Sequence, residues 1–406
     1  MASPLPVFGE KLREMTGPYR ARNPRLVALL RLSDALGRIL RKRAGATASP
    51  ERPMKILLAN WGHLGDVVAI LPLLNFIEQN PAVLEVSVLI GSWSRGVLEA
   101  SGSRARIFTI DHPLLDRRPV GRGKKIWNYL KSIPPLVRDL RRAGYTVSVD
   151  GFSTFPATHA LTWMAGIPCR IGFTSAGFGA SLTHPVLWQP ADISVADQQL
   201  RLLEPLFGKE RPTALPALYP GFRPVALPAF GVDAGAYVVL HRGAGDPMRS
   251  WPESEWIELA RALRDKGFQI VLSGASEAEV LAAQAIADQT GAVNAAGRLS
   301  WPQFVTLVSK AKAVIAIDTV IGHVAACFAI PTVVLTAGRQ RLAFWKPNNP
   351  RALALTYPVG CYPCNRTNGC PQMACLRRIG HRDVLSAFHE ATKSAIPPSN
   401  DIEITG

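Results

Sequence analysis

The chain has 406 residues, a mass of 44.0 kDa and a formal net charge of +16. Its 48% hydrophobic and 19% charged content describes a folded chain long enough for two domains with full cores, which excludes a disordered or fibrous protein. No apolar run reaches the roughly 18 residues a membrane-spanning helix needs. The opening MASPLPVFGEKLREM also lacks a basic segment followed by an apolar one, so neither a span nor a secretory leader is expected and a cytoplasmic location follows. A pI near 10.0 suits anionic partners: nucleic acid, acidic lipid headgroups or phosphorylated substrates.

In chain order, residues 1–53 read as a basic helical extension and linker, with eleven Lys and Arg against four Asp and Glu. Leu26, Leu29, Leu30, Leu36 and Leu40 recur there at helical spacing. Such a helix either lies on an anionic membrane or packs on its own domain. Residues 44–53 read as the linker.

A first domain is expected over 54–228. KILLA (55–59) predicts a buried strand running into the turn NWGHLGD and a helix. Gly62 and Gly65, flanking His63 and Leu64, let a backbone approach a ligand, and Asp66 opens the helix. The turn is neither a GK[ST] phosphate loop nor GxGxxG. Asp66 is therefore either an N-cap or part of a site. A βαβ rhythm follows: strands over 86–90, 107–110 and 146–149, and helices over 94–100, 126–143 (interrupted at Pro134-Pro135), 155–165 and 193–207. This alternation predicts an α/β fold with a doubly wound parallel sheet. The proline-scattered stretch 212–228 reads as the interdomain connection.

A second domain is expected over 229–385, with a tail over 386–406. Its strand at 237–240 exits through HRGAGDPMRSWPESEW, which carries Gly243 and Arg249. Alternating elements lead to AVIAIDTVIGHVAACFAIP, a buried strand, the polar tip Asp318-Thr319 and an Ala-rich helix with His323 about one turn in. Doubly wound sheets bind ligands at such carboxyl ends, and a helix N-terminus favours phosphate. The strand ends at His241 and Asp318 are expected to face one crevice. In the plainer reading Asp318 and Thr319 cap the helix, His323 packs and Arg249 is solvated.

Cys169 and Cys327 sit in apolar surroundings as core residues. Cys361, Cys364, Cys370 and Cys375 follow C-x2-C-x5-C-x4-C, which suits a structural zinc or iron site; reduced thiols and a disulfide are the alternatives. Four cysteine ligands would leave no open position for catalysis.

Together KILLANWGHLGDVVAILPLL, RRAGYTVSVDGFS with RIGF, VVLHRGAGDPMRSWPESEWIELARAL, VLSGASE, NAAGRLSW and IDTVIGHVAACFAIPTVVL resemble glycosyltransferase family 9, the heptosyltransferases. The resemblance runs from about residue 54 to 385. It implies a GT-B architecture, two doubly wound Rossmann-like domains facing across a cleft, and inverting transfer of heptose from ADP-L-glycero-D-manno-heptose. Asp66 matches the general base that deprotonates the acceptor, in the acceptor-side loop with Gly62, His63 and Gly65. Arg249 matches the basic residue, commonly lysine, that holds the donor diphosphate. Asp318, Thr319 and His323 match the DTGxxH motif at donor sugar and diphosphate, and Gly243 and Gly297 would lie along the nucleotide. One position departs: where the family has DTG this chain has Asp318-Thr319-Val320.

The implied acceptor is a hydroxyl of the phosphorylated lipid A-core of lipopolysaccharide, with a protein acceptor as alternative and peripheral contact with the cytoplasmic face of the inner membrane. No catalytic metal is expected, since the loops hold no DxD-like pair. A second reading is a non-catalytic sugar-nucleotide-binding homologue. A third, a nucleic-acid binder, requires aromatics among basic runs, and none is expected here.

Overall fold

The computed structural model describes residues 19, 24–41, 52–188, 193–243, 249–338, 342–357, 359–362, 364, 370, 372–393 and 402–403. The chain divides into two compact units, Gly17–Arg223 and Pro224–Gly406.

The first unit carries strands β1 (Met54–Ala59), β2 (Val83–Ile90), β3 (Arg106–Thr109), β4 (Val147–Asp150), β5 (Cys169–Phe173) and β6 (His184–Val186). Its helices are α1 (Pro24–Arg41), α2 (Leu64–Gln79), α3 (Arg95–Glu99), α4 (Arg122–Ala143), α5 (His159–Met164) and α6 (Val195–Phe207). The strands form one parallel sheet in the order β3-β2-β1-β4-β5-β6. In the middle of that sheet Leu58 pairs with Val88 on one side and Val149 on the other.

The second unit repeats the plan. Its strands are β7 (Tyr237–His241), β8 (Gln269–Ser273), β9 (Val293–Asn294), β10 (Ala313–Ile317), β11 (Thr332–Leu335), β12 (Ala352–Thr356) and β13 (Ile402–Glu403). Its helices are α7 (Glu253–Asp265), α8 (Glu277–Thr290), α9 (Trp301–Ser309), α10 (Val320–Cys327), α11 (Leu342–Trp345), α12 (Ala374–Arg377) and α13 (His381–Lys393). The parallel sheet runs β13-β12-β11-β10-β7-β8-β9. In both units the chain lays three strands outward from the centre, returns, and continues on the other side. This leaves a switch point between β1 and β4, and another between β7 and β10.

Parallel strands covered on both faces must be apolar throughout, which is why AVIAI of β10 is buried at all five positions. The core of the second unit joins β7, β8, β10, β11 and β12 to α7, α8 and α13, with Trp256, Ile315 and Phe388 at most 1% exposed.

Several expected elements differ in extent. The helix over 126–143 begins earlier, at Arg122, and runs unbroken through Pro134-Pro135. Both prolines are exposed, as are Leu130 and Lys131 one turn before them, so water can satisfy the carbonyls that lose their partners. The helix expected over 155–165 shortens to α5. The Asp150 carboxylate instead holds the preceding loop, accepting from the Phe152 N–H at 2.9 Å and from the Thr158 N–H and hydroxyl at 2.8 and 2.6 Å.

Within the extension expected over 1–53, α1 packs on the first unit. Leu30 is 1% exposed, and buried Asp34 accepts from the Tyr19 hydroxyl at 2.7 Å and the Ala180 N–H at 3.0 Å. The linker expected over 44–53 lies, up to residue 51, outside the described residues. The expected tail boundary at 385/386 falls inside α13, where Phe388 and Ala391 are core residues. Among the described residues no helix is long and apolar enough to cross a membrane.

Candidate active site

At the first switch point β1 ends in Asn60 and the turn that carries Gly62, His63, Gly65 and Asp66. Asp66 lies in the first turn of α2, and its Oδ2 accepts the His63 N–H at 2.8 Å, so the capping role is present. The turn is tightly held. Asn60 Oδ1 accepts the Gly62 N–H at 3.0 Å, the Trp93 indole donates to the Gly62 carbonyl at 2.8 Å, and the Trp61 indole donates to the Pro156 carbonyl at 2.9 Å. A side chain at position 62 would put its Cβ within 2.7 Å of the Asp66 carboxyl, which is why this position is glycine. Gly65 sits inside the first turn of α2.

Two histidines flank this turn. Burial, with the Arg117 guanidinium adding to it, lowers the His63 pKa to about 4, so the ring is neutral at pH 7. Burial likewise lowers His112 to about 4. Its ring packs on Trp61 at 5.1 Å and Tyr129 at 4.8 Å, and its Nδ1 accepts the Leu114 N–H at 3.2 Å, fixing the proton of the neutral form on Nε2. The sequence reading missed His112, Trp93 and Arg117. Trp93 follows β2, and His112 and Arg117 share the loop between β3 and α4, so only the wound order brings these two loops to the turn that carries His63 and Asp66.

At the second switch point β7 and β10 are neighbours, with His241 level with Ala316. This puts the strand ends at His241 and Asp318 side by side, as expected. His241 is buried and its Nδ1 lies 2.9 Å from the Ser273 hydroxyl; burial lowers its pKa, opposed by the Glu279 carboxylate. Thr319 is the N-cap of α10, but its hydroxyl turns back to the Ile317 carbonyl at 3.1 Å, so no side chain caps the helix. His323 lies one turn in, its ring edge-on to Trp345 at 5.8 Å; burial lowers its pKa, with Asp318 opposing. Val320 occupies the first helical position and is not among the residues with positive φ, so replacing the family's glycine strains no backbone.

Gly243 is buried two residues beyond β7, and the loop 244–248 lies outside the described residues. Arg249 is partly buried just before Trp251, whose fully buried indole donates to the Ile379 carbonyl at 2.8 Å and packs edge-on against Trp256 at 4.9 Å. Gly297 takes φ +71, a left-handed conformation natural to glycine, and donates to the Gly274 carbonyl at 3.0 Å. It edges an open cavity of about 510 Å³ with Val280, Gln284, Asn294 and Arg298.

The four clustered cysteines, where a structural metal is expected, are neighbours. Burial, and then crowding by Cys364, Cys370 and Cys361, raises the Cys375 thiol pKa. The Cys370 sulfur accepts the Met373 N–H at 3.2 Å, and Cys361 is exposed. Among the described residues, no three Cys, His, Asp or Glu side chains converge as ligands. The described residues therefore lend the zinc or iron reading no support.

Two parallel Rossmann-like sheets, each with a switch point in its strand order, define an α/β protein of GT-B architecture. The profile of "Glycosyltransferase family 9 (heptosyltransferase)" matches residues 135–373, and the chain belongs to that family of glycosyltransferases. Among curated relatives, lipopolysaccharide heptosyltransferase 2 of Salmonella typhimurium is 30% identical over 159 residues, covering 38% of this chain and 39% of that protein. The match thus spans about two fifths of that relative's length. Among solved structures, E. coli ADP-heptose lps heptosyltransferase II superposes with a TM-score of 0.63 at 21% identity, covering 84% of this chain and 99% of that one. A glycosyl transferase family 9 protein from Veillonella parvula DSM 2008 gives 0.67 at 17% identity, with 86% and 99% covered. At these identities the likeness is one of fold.

Proposed function

We propose that the protein transfers heptose from ADP-L-glycero-D-manno-heptose to a hydroxyl of the lipopolysaccharide inner core, by direct displacement with inversion. The observation that carries the reading is the second switch point, where an α-helix begins without a side-chain cap beside Asp318, Thr319 and His323. Its first N–H groups and positive dipole end suit the donor diphosphate, and Arg249 supplies the countercharge as the leaving ADP develops negative charge. Asp318 and His323 face the donor sugar, and Gly243 and Gly297 leave room along the nucleotide. In the first domain Asp66 takes the proton from the acceptor hydroxyl as it attacks the anomeric carbon. The charge neutralisation described requires no catalytic metal.

The reading is tested by thermal stability against ADP, ADP-heptose, UDP and GDP. A ligand at a hundredfold excess over its Kd stabilises by about 2.7 kcal/mol, a rise of about 5–10 °C for a domain of this size. ADP and ADP-heptose are expected to give that rise and UDP and GDP none. Stabilisation by UDP or GDP alone overturns the donor, and no response to any of the four overturns the reading as a whole.

A further inference from the structure

The apolar surface of helix α4 is covered toward its C-terminal half and left open toward its N-terminal half. Leu136, Val137 and Leu140 are buried, and Tyr129 and Ile133 pack on the same core. Adjoining these and mostly nearer the N-terminus, Gly123, Ile126, Trp127, Leu130 and Pro134 fall within about 100° of arc over three turns and all are exposed. Trp127 is 67%, Leu130 53% and Ile126 40% exposed. Most other large apolar side chains exposed among the described residues stand singly along the chain, as is ordinary on a protein surface. Here three fall within five residues, and Leu114 is exposed on the loop that leads in.

The stripe is ringed by one sign of charge. From residue 117 to 131 the chain reads RRPVGRGKKIWNYLK, with Arg117, Arg118, Arg122, Lys124, Lys125 and Lys131 and no acidic residue. Arg122, Lys124 and Lys131 are exposed beside the stripe. The platform is held in place: Lys125 donates to the Asp116 carbonyl at 2.8 Å, and Arg118 pairs with Asp111 and Asp116, each at 2.7 Å. We propose that this face of α4 is an interfacial surface that seats the protein on an anionic lipid headgroup layer, with Ile126, Trp127 and Leu130 entering the headgroup–acyl boundary and Arg122, Lys124 and Lys131 on the lipid phosphates.

Charge complementarity selects this occupant. An exposed tryptophan beside aliphatic residues, with long basic side chains that can reach sideways to phosphate, is the composition of interfacial helices. A nucleic-acid strand would use several stacking rings, but Trp127 is the one exposed aromatic of the stripe, since Tyr129 packs inward. The test of this surface reads lipid binding and needs no donor or acceptor.

The full chain is sedimented with large vesicles of phosphatidylcholine alone or with about a third phosphatidylglycerol. Binding to the anionic vesicles is expected, falling as salt rises from 0.05 to 0.5 M. The Trp127→Ser/Leu130→Ser double variant is expected to weaken it about tenfold or more. Each of Lys124→Gln and Lys131→Gln should weaken it about fivefold. Because the wild-type salt dependence is read without any substitution, a variant that failed to fold would not shelter the proposal. Three results overturn it: equal binding to neutral vesicles, unchanged binding in the double variant, or a wild-type dimer that the double variant dissociates. Displacement of the wild-type chain from vesicles by single-stranded RNA at stoichiometric amounts would reassign the face to nucleic acid.

Discussion

The two sheets solve the same problem in parallel and then diverge. In each, the first strand exits at the switch point through a loop pinned by a buried tryptophan, Trp61 donating to the Pro156 carbonyl and Trp251 to that of Ile379. The first loop is held at each step: Asn60 accepts the Gly62 N–H, Trp93 donates to the Gly62 carbonyl, and Asp66 accepts the His63 N–H, so α2 is capped by its own acid. At the second, α10 begins with no side-chain cap, beside an aspartate, a threonine and an enclosed histidine. A capped helix end beside a carboxylate suits proton transfer, and an uncapped one suits a diphosphate. On the proposed reading, one fold yields two sites that differ mainly in what fills the first turn of a helix.

Breaking the first site should have the largest effect on turnover. Asp66→Asn keeps an oxygen for the His63 N–H but cannot take a proton, so transfer should fall by about 10²–10⁴-fold with the melting temperature nearly unchanged, measured by ADP release. Removing the pin of the second loop should show in stability instead. Trp251→Ala empties a fully buried site and should cost about 3–5 kcal/mol in chemical denaturation. Arg249→Gln should weaken ADP binding by about 10–100-fold, the worth of a hydrogen bond to a charged group, as read by calorimetry.

Smaller effects sharpen the contrast. The His63 and His112 pKa values are depressed in the folded state to about 4, so between about pH 6.5 and 4 the unfolded chain binds protons that the folded one does not. Stability from these two rings is therefore complete above pH 6.5 and is lost as pH falls toward 4. His112→Phe should flatten that slope of melting temperature against pH. Val320→Gly should be the mildest change, lowering stability by no more than about 1 kcal/mol with donor preference kept, because the backbone there is already helical.

Much of this was legible in the sequence. Strands buried on both faces announce themselves as apolar runs, so KILLA and AVIAI were read nearly to the residue. The acid that opens α2 and the polar tip before α10 could be seen because each follows such a strand directly. Strands β5, β6, β11, β12 and β13 were not anticipated: β6 and β13 span only three and two residues, β6 contains a proline, and β5, β11 and β12 are runs of four or five residues that periodicity alone does not separate from a loop or a helix end. Pro134 and Pro135 suggested a break in α4 because the sequence does not reveal that their turn faces water.

The His63–Arg117 and Trp61–His112 proximities are tertiary, and no local spacing encodes them. The α4 stripe escaped for the opposite reason: apolar residues at helical spacing look the same whether the core or nothing covers them. Cysteine spacing suggested a metal, yet the thiols cluster without converging as ligands.

The division of labour between the two switch points is tested most directly by titrating ADP into the wild-type protein, Asp66→Asn and Arg249→Gln in parallel. The account predicts a wild-type Kd for Asp66→Asn and a Kd raised at least tenfold for Arg249→Gln. Loss of ADP binding in Asp66→Asn, or an unchanged Kd in Arg249→Gln, would contradict it.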